Sequence, residues 1–291
     1  MFALPPHATR PRRCLLALVW LLLACAPAET AGSESFDKVL AFENGSVNWT
    51  AGWITAEGAG LPDDPPTDDS LPAAVASGRN RARANLLTII RGLRVRSRQT
   101  AGELADLQPA LAENLLGMAA AAEVTRQDYH SDGSVTVTVA MSLFGGLSQL
   151  LLPPEIVPLE TVTTVGSRPR SGAQPPIFQT YTGLVVDARG LRLQPALAPR
   201  IFSPNGSVVY DYAFVSREFA VQQGVCGYLR TATGAAAASR VGNHPVVARA
   251  LRTVGSGGCD LVISNSDAGR IRNAPEHLAF MRHCRVLIVV D

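Results

Sequence analysis

The segment EVTRQDYHSDGSVTVTVAMSL, residues 123–143, carries the clearest structural signal in the chain. Two stretches suited to strands, 123–130 and 134–143, flank the short turn Ser131-Asp132-Gly133. An Asp-Gly pair is typical of tight hairpins, because glycine adopts the positive φ angles that such turns need. The segment therefore predicts a β-hairpin, and the rest of the first half can be placed around it.

The sequence before this hairpin predicts one strand region and two helices. Residues 45–60 alternate in the manner of a strand, with Val47, Trp49 and Trp53 available to cover one face. Over residues 73–95, apolar side chains recur at helical spacing between arginines that we expect on the solvent-exposed face (Arg79, Arg81, Arg83 and Arg91). A second helix over 101–117 is interrupted near Pro109. Residues 32–152 are thus predicted to form a β-α-α-β-β domain.

A proline-rich linker over residues 153–176 is predicted to lead into a second domain, residues 177–291. This domain is expected to hold a mixed sheet ending in a β-α-β unit whose two strands lie side by side in parallel under a crossover helix. The fold class is therefore α+β with two small α/β domains. The expected elements are strands at 177–186, 259–264 and 284–291, a turn at 203–206, and helices at 217–229 and 245–253. A further helix is expected from Ser264 or Asn265, and Pro275 either kinks it or splits it in two.

The first 31 residues have the pattern of an export signal. Basic residues precede the apolar stretch CLLALVWLLLACA, which has the length of a secretory signal core and is too short to span a membrane. Two processing routes stay open. LLAC, ending at Cys25, fits a bacterial lipobox and would make Cys25 a lipidation site with an outer-membrane anchor, whereas the following small residues suit ordinary signal peptidase and a soluble periplasmic form.

Composition argues against a nucleic-acid-binding protein. The net charge is only +2, and 25 of the 26 basic residues are arginine, with Lys38 the single lysine. This pattern indicates a coding bias toward arginine rather than a basic surface that binds nucleic acid. We expect no nucleic-acid partner and no cofactor.

The cysteines of the exported chain are three in number, Cys226, Cys259 and Cys284. An oxidising compartment permits one disulfide and a free thiol, or three buried thiols. Their spacing matches no zinc motif, and no His-x-x-His or His-Glu-x-x-His pattern occurs, so no metal site is predicted.

Candidate catalytic groups come from the ends of the apolar strands. No Gly-x-Ser-x-Gly elbow is present. The stretch TGLVVDARGL, residues 182–191, ends a strand at Asp187, and Asp291 ends another. If the two strands are neighbours, an envelope hydrolase using Asp187 with Asp291 or His283 is the enzymatic alternative. The interpretation we favour is a turn, in which Asp187 accepts backbone N–H groups, Arg189 pairs locally and His283 bonds a backbone carbonyl.

One strand-to-helix junction, ISNSDAG, offers an alternative binding function. Ser264, Asn265 and Asp267 stand where free backbone N–H groups and the helix dipole can hold a small anion. The same residue types are preferred helix caps, and capping is the interpretation we favour.

Several sequence segments resemble those of a known group of envelope proteins. GSVNWTAGWITAEG, GRNRARANLLTIIRGLRV and YHSDGSVTVTVAMSL are similar to the N-terminal half of the bacterial Lpp-twenty lipoprotein-like proteins, and a related module occurs in flagellar assembly protein T. TGLVVDARGLRLQPALAPRIFSPNGSVVY, VSREFAVQQGVCGY, VISNSDAGRIR and CRVLIVVD resemble the C-terminal half of exported members of that group.

The resemblance implies a non-catalytic exported protein of the periplasm or outer membrane. Its expected role is assembly or binding, including that of a flagellar or outer-membrane structure. Its expected partners are other envelope or flagellar basal-body proteins.

Overall fold

The first half of the protein is a five-stranded antiparallel sheet with one long helix, Ser70–Gly92, packed on one face. The computed structural model describes residues 37–62, 70–153, 181–273 and 277–291. The sheet order is β1-β2-β3-β7-β6. In chain order the elements of this half are β1 (Val39–Phe42), β2 (Gly45–Asn48), β3 (Trp53–Gly60), α1 (Ser70–Gly92), β4 (Arg94–Arg96), β5 (Gln99–Thr100), α2 (Ala101–Leu107), α3 (Pro109–Ala120), β6 (Glu123–Tyr129), β7 (Val135–Ser142) and α4 (Gly146–Leu151).

The predicted hairpin at 123–143 is confirmed as β6 and β7, with Asp132 accepting hydrogen bonds from the Ser134 amide and hydroxyl. The break near Pro109 is also confirmed, because α2 ends at Leu107 and α3 begins at the proline. Thr100 and Glu103 form a capping box at the start of α2.

The expectation for residues 45–60 was wrong in one respect, since this stretch forms a hairpin, β2 and β3, rather than one strand. Gly52 turns the chain with a φ of +72°. Trp53 pairs with Asn48 on the face opposite Val47, so Trp53 is half exposed while Val47 and Trp49 are buried. The turn shifts the alternation of buried and exposed side chains by one residue, so the side chains of β3 lie on the faces opposite to those predicted.

Small residues allow α1 to lie unusually close to β3. A Cβ atom at Gly60 would lie 1.7 Å from the carbonyl oxygen of Ala74, and one at Gly58 would lie 2.2 Å from the amide nitrogen of Ala82. The arginines of this helix are not simply solvated, because Arg81 donates to the carbonyl of Ala59 on β3. The contact therefore depends on backbone proximity as well as on apolar burial.

The second half is a seven-stranded mixed sheet of order β10-β9-β13-β12-β8-β14-β11. Its elements are β8 (Leu184–Asp187), β9 (Ile201–Phe202), β10 (Val208–Tyr210), a 3₁₀ turn (Tyr212–Phe214), α5 (Arg217–Gln223), β11 (Gly227–Leu229), α6 (Ala235–Val241), β12 (Val246–Val254), β13 (Asp260–Ile263), α7 (Asn265–Asn273), α8 (His277–Arg282) and β14 (Val286–Val289). The α+β class and the mixed sheet are as predicted.

Two details of this half differ from the sequence-based expectation. Residues 245–253, expected to be helical, form the inner strand β12, in which Val246, Ala248 and Ala250 are buried and the side chains between them are exposed. The helix expected over 217–229 stops at Gln223, where Gly224 adopts a φ of +81°, and the chain continues as β11. The alanine-rich segment that follows is helix α6.

The last two strands, β13 and β14, are not the parallel neighbours that we expected. Strands β12 and β8 separate β13 from β14. Because β12 runs antiparallel to β13 but parallel to β8, and β8 runs parallel to β14, the two strands have opposite directions. The turn at 255–258 makes β12 and β13 a hairpin, and α7 and α8 connect β13 to β14 across β12 and β8.

Residues Phe36–Asp291 form one compact unit, in which both sheets contribute to a common core that includes Ile54, Leu86, Val186 and Ile288. Among the described residues, no helix is both long and apolar enough to cross a lipid bilayer. The signal segment with Cys25, the linker from residue 154 onward, the strand start at 177–180 and Pro275 lie outside the described residues.

We expect Gly60→Ala to destabilise the protein by roughly 1–3 kcal/mol, because the added methyl group meets the backbone of α1 rather than a flexible side chain. Urea unfolding measures this change. Gly117→Ala is the control, since it adds the same methyl group to an exposed helical position with no atom within 4 Å and should leave stability unchanged or raise it. Equal effects of the two changes would contradict the close contact.

Candidate functional site

The corner at Asp187–Gly190 brings together most of the candidate catalytic groups. The amide and Nε of Arg189 donate to Oδ1 of Asp187 at 3.1 and 2.9 Å, and its Nη2 donates to Oδ2 at 2.7 Å. Gly190 adopts a φ of +80° and completes the turn. Asp187 and Arg189 are thus a local ion pair with two parallel hydrogen bonds, as expected for a strand corner.

Asp291 reaches the same corner from the neighbouring strand. Strands β8 and β14 are parallel, and Asp187 pairs with Val289, so their carboxyl ends meet at one edge. Both carboxylate oxygens of Asp291 accept from the amide of Gly190, at 2.9 and 3.0 Å. The two candidate carboxylates therefore hold adjacent residues of one turn.

The electrostatics of Asp187 do not suit an acid catalyst. Hydrogen bonds from the Arg189 side chain, together with its charge, lower the pKa of Asp187 below its ordinary value. A carboxyl group that delivers a proton near neutral pH needs the opposite shift. The corner stabilises the anionic form of Asp187, which is what a structural ion pair requires.

His283 lies at the other end of β14 and is not brought to Asp187. Its Nδ1 lies 2.7 Å from the carbonyl oxygen of Ala279, and its ring meets Phe219 edge-on at 4.6 Å. The structure thus places it as a helix-end residue bonded to a backbone carbonyl. The pairing of Asp187 with His283 in the hydrolase alternative has no geometric basis here.

The junction of β13 and α7 has the geometry of a helix cap. Oγ of Ser264 accepts from the amide of Asp267 at 3.0 Å and donates to Oδ2 of Asp267 at 2.9 Å. The other oxygen of Asp267 accepts from Nη2 of Arg270 at 2.7 Å. Asn265 is exposed. Because the Asp267 carboxylate already stands at the helix N-terminus, the place that an external anion would take carries a negative charge.

The three cysteines in the described chain are free and buried. Burial raises the pKa of Cys226 to about 11 and those of Cys259 and Cys284 to about 12. These thiols stay protonated near neutral pH, which leaves them poor nucleophiles. Of the two alternatives, the structure has three buried thiols. No group of three or more His, Cys, Asp or Glu residues in the described part of the chain is arranged to hold a metal ion.

A cleft that no sequence motif indicated lies where the two halves meet. Its volume is about 270 Å³, and its walls include Trp49 and Phe144 from the first half and Tyr228 and Arg240 from the second. These residues come from separate loops, a strand and a helix, so no local pattern joins them. The sequence analysis noted Trp49 only as a residue covering one face of a strand.

We expect Asp187→Asn to lower stability by roughly 0.5–1 kcal/mol at neutral pH, because it removes the charge that pairs with Arg189. Since the pKa of Asp187 is lowered by folding, its contribution is present above the ordinary value of 3.8 and is lost as the pH falls through the folded-state value. Urea unfolding of both proteins at neutral and acidic pH measures the difference, which should shrink on acidification.

Asp128→Asn is a matched control for that measurement. It removes a carboxylate from another Arg-Asp pair two residues apart, whose arginine is 71% exposed. Its effect should be smaller than that of Asp187→Asn. A difference for Asp187→Asn that persists unchanged in acid would contradict the role assigned to the ion pair.

We expect Ser264→Ala to cost about 1 kcal/mol, the usual penalty for losing a helix N-cap. Asn265→Ala should be nearly neutral, because this neighbouring side chain is exposed. Thermal unfolding of the two variants tests the difference. A larger loss at Asn265 than at Ser264 would overturn the assignment of the cap.

Comparison with known proteins gives a partial match. Residues 183–291 match the family described as Treponema pallidum Tp0624, second domain. The matched range begins just before β8 and includes every strand of the seven-stranded sheet. No curated protein matches the chain. The second half of this protein is therefore similar to that Treponema domain.

Proposed function

We propose that this protein is a non-catalytic, exported component of the bacterial envelope that acts in assembly or binding. The sequence basis for export is the signal pattern of residues 1–31. In this proposal the protein works in the periplasm or at the outer membrane, and its partners are other envelope or flagellar basal-body proteins.

The observation that carries the proposal is the engagement of the two strand-end carboxylates. Asp187 is bound by Arg189, and Asp291 is bound by the Gly190 amide. Carboxylates committed to holding a turn are not free to bind a substrate water or a leaving group. The buried, protonated thiols and the carbonyl-bound His283 support the same view.

A sequence resemblance also supports the assignment to the envelope. The first half resembles the Lpp-twenty lipoprotein-like proteins and the related module of flagellar assembly protein T in the segments that form its hairpin and its long helix. Under the proposal, lipidation at Cys25 or release by signal peptidase decides whether the protein is anchored or soluble.

Cell fractionation of the tagged full chain tests the location. We expect the protein in the periplasmic or outer-membrane fraction. Cys25→Ser, compared with Cys14→Ser, distinguishes the two processing routes, because only the former removes a lipid attachment site. A shift of Cys25→Ser alone from membrane to soluble fraction indicates anchoring. A cytoplasmic location of the wild-type chain would overturn the proposal.

Crosslinking in intact cells, followed by identification of the captured proteins, tests the role in assembly. We expect outer-membrane or basal-body proteins, captured equally by wild type and by an Asp187→Asn, Asp291→Asn double variant. Equal capture is expected because the two carboxylates serve the fold. Hydrolysis of an envelope polymer by wild type but not by the double variant would instead establish the hydrolase.

A further inference from the structure

The cleft between the two halves has the features of a small-ligand site. At about 270 Å³ it lies just below the roughly 300 Å³ at which pockets for drug-sized ligands begin, so its natural occupant is small. The two halves meet at its wall, where Oγ1 of Thr50 donates to the carbonyl of Tyr228 at 2.7 Å and the Trp49 ring packs edge-on against the Tyr228 ring.

The charged group in the described lining of the cleft is positive. Arg240 is the one charged residue among the described residues that line it. Its Nη1 and Nη2 donate to the carbonyl oxygens of Gln223 and Gly224 at 2.6 and 2.8 Å, which fixes the plane of the guanidinium group. A cation held in this way, with no facing carboxylate, favours a negatively charged ligand.

Unpaired donors are concentrated at the same place. Three buried side-chain nitrogens have no hydrogen-bond partner within the described part of the chain, and two of them, Nε1 of Trp49 and Nε of Arg240, belong to residues that line this cleft. Both are N–H donors. Buried donors normally have partners, so each of these N–H groups calls for an acceptor, such as a ligand oxygen or a water molecule, that the described residues do not supply.

Gly227 keeps the cleft open. Its φ is not in the positive range that favours glycine, and a Cβ atom there would lie 3.5 Å from Cγ of Arg240 and 3.6 Å from its Nε. A side chain would therefore fit the backbone and would occupy the space next to the guanidinium group. Because residue 227 is glycine, no side chain fills the space next to the guanidinium group of Arg240.

We propose that this cleft binds a small organic carboxylate. The carboxylate lies at Arg240, where a single fixed cation balances a monoanion better than it would a phosphate dianion. The apolar body of the ligand lies against the ring and aliphatic groups of the lining, which include Phe144 and Leu287. This site is separate from the Asp187 corner and does not depend on the proposed cellular role.

Ligand-detected NMR and tryptophan fluorescence of the full chain test the site, with benzoate and phenylacetate as probes and benzamide as the neutral counterpart. We expect saturable binding of at least one carboxylate, with a Kd of about 1 mM or tighter, and weaker binding of benzamide. Absence of saturable binding by both carboxylates, or equal binding of benzamide, overturns the proposal.

Two variants and one matched control locate the binding. Arg240→Lys, which removes Nε–H from its position, should weaken carboxylate binding about tenfold or more, and Gly227→Val should block it by filling the space. Arg217→Lys is the control, because Arg217 also donates through both Nη atoms to backbone carbonyls, those of Gln149, Leu152 and Pro153, but does not line this cleft.

Thermal unfolding without ligand shows whether each variant is folded. If Arg240→Lys is unfolded, the folded Gly227→Val variant still decides the question. Wild-type affinity in both folded variants, or a loss of affinity in Arg217→Lys equal to that in Arg240→Lys, overturns the assignment.

Discussion

The fold depends on a backbone contact between its two halves. The amides of Leu197 and Ala198 donate to the carbonyls of Arg94 and Val95 on β4, both at 2.9 Å. The turn between β12 and β13 closes over the same hairpin. The approach is close enough to exclude a side chain at position 255, because a Cβ at Gly255 would lie 1.8 Å from Oγ of Ser97. This contact holds the two sheets against a common core.

Arginine serves this fold mainly as a donor to backbone carbonyls. Side chains of this kind tie helices to strands and loops across the molecule: Arg81, Arg83, Arg217, Arg240, Arg270 and Arg272. The most buried ion pair joins Arg200 to Asp260, which is 1% exposed and also accepts from the Arg200 amide. The arginine content thus has a structural use, since a guanidinium group offers five N–H donors in one plane.

The two sites differ in how they use their polar groups. At the Asp187 corner both candidate carboxylates accept hydrogen bonds, Asp187 from Arg189 and Asp291 from the Gly190 amide, and these bonds hold the turn in place. In the cleft, by contrast, N–H groups of Trp49 and Arg240 have no acceptor among the described residues. The proposed binding site therefore lies where the halves meet, while the carboxylates at the strand ends hold a turn.

Local patterns in the sequence determined the β6-β7 hairpin, the break at Pro109, the Ser264 cap and the Asp187 turn, because each depends on residues within a few positions of one another. Only the tertiary structure decided that residues 246–254 are a strand and that β13 and β14 are apart. Apolar spacing in PVVARALRTV suits either a helix or a strand, and the neighbours β8 and β13 supply the backbone partners that decide it. The sequence did not indicate the cleft for the same reason, since its walls meet only after distant segments pack together.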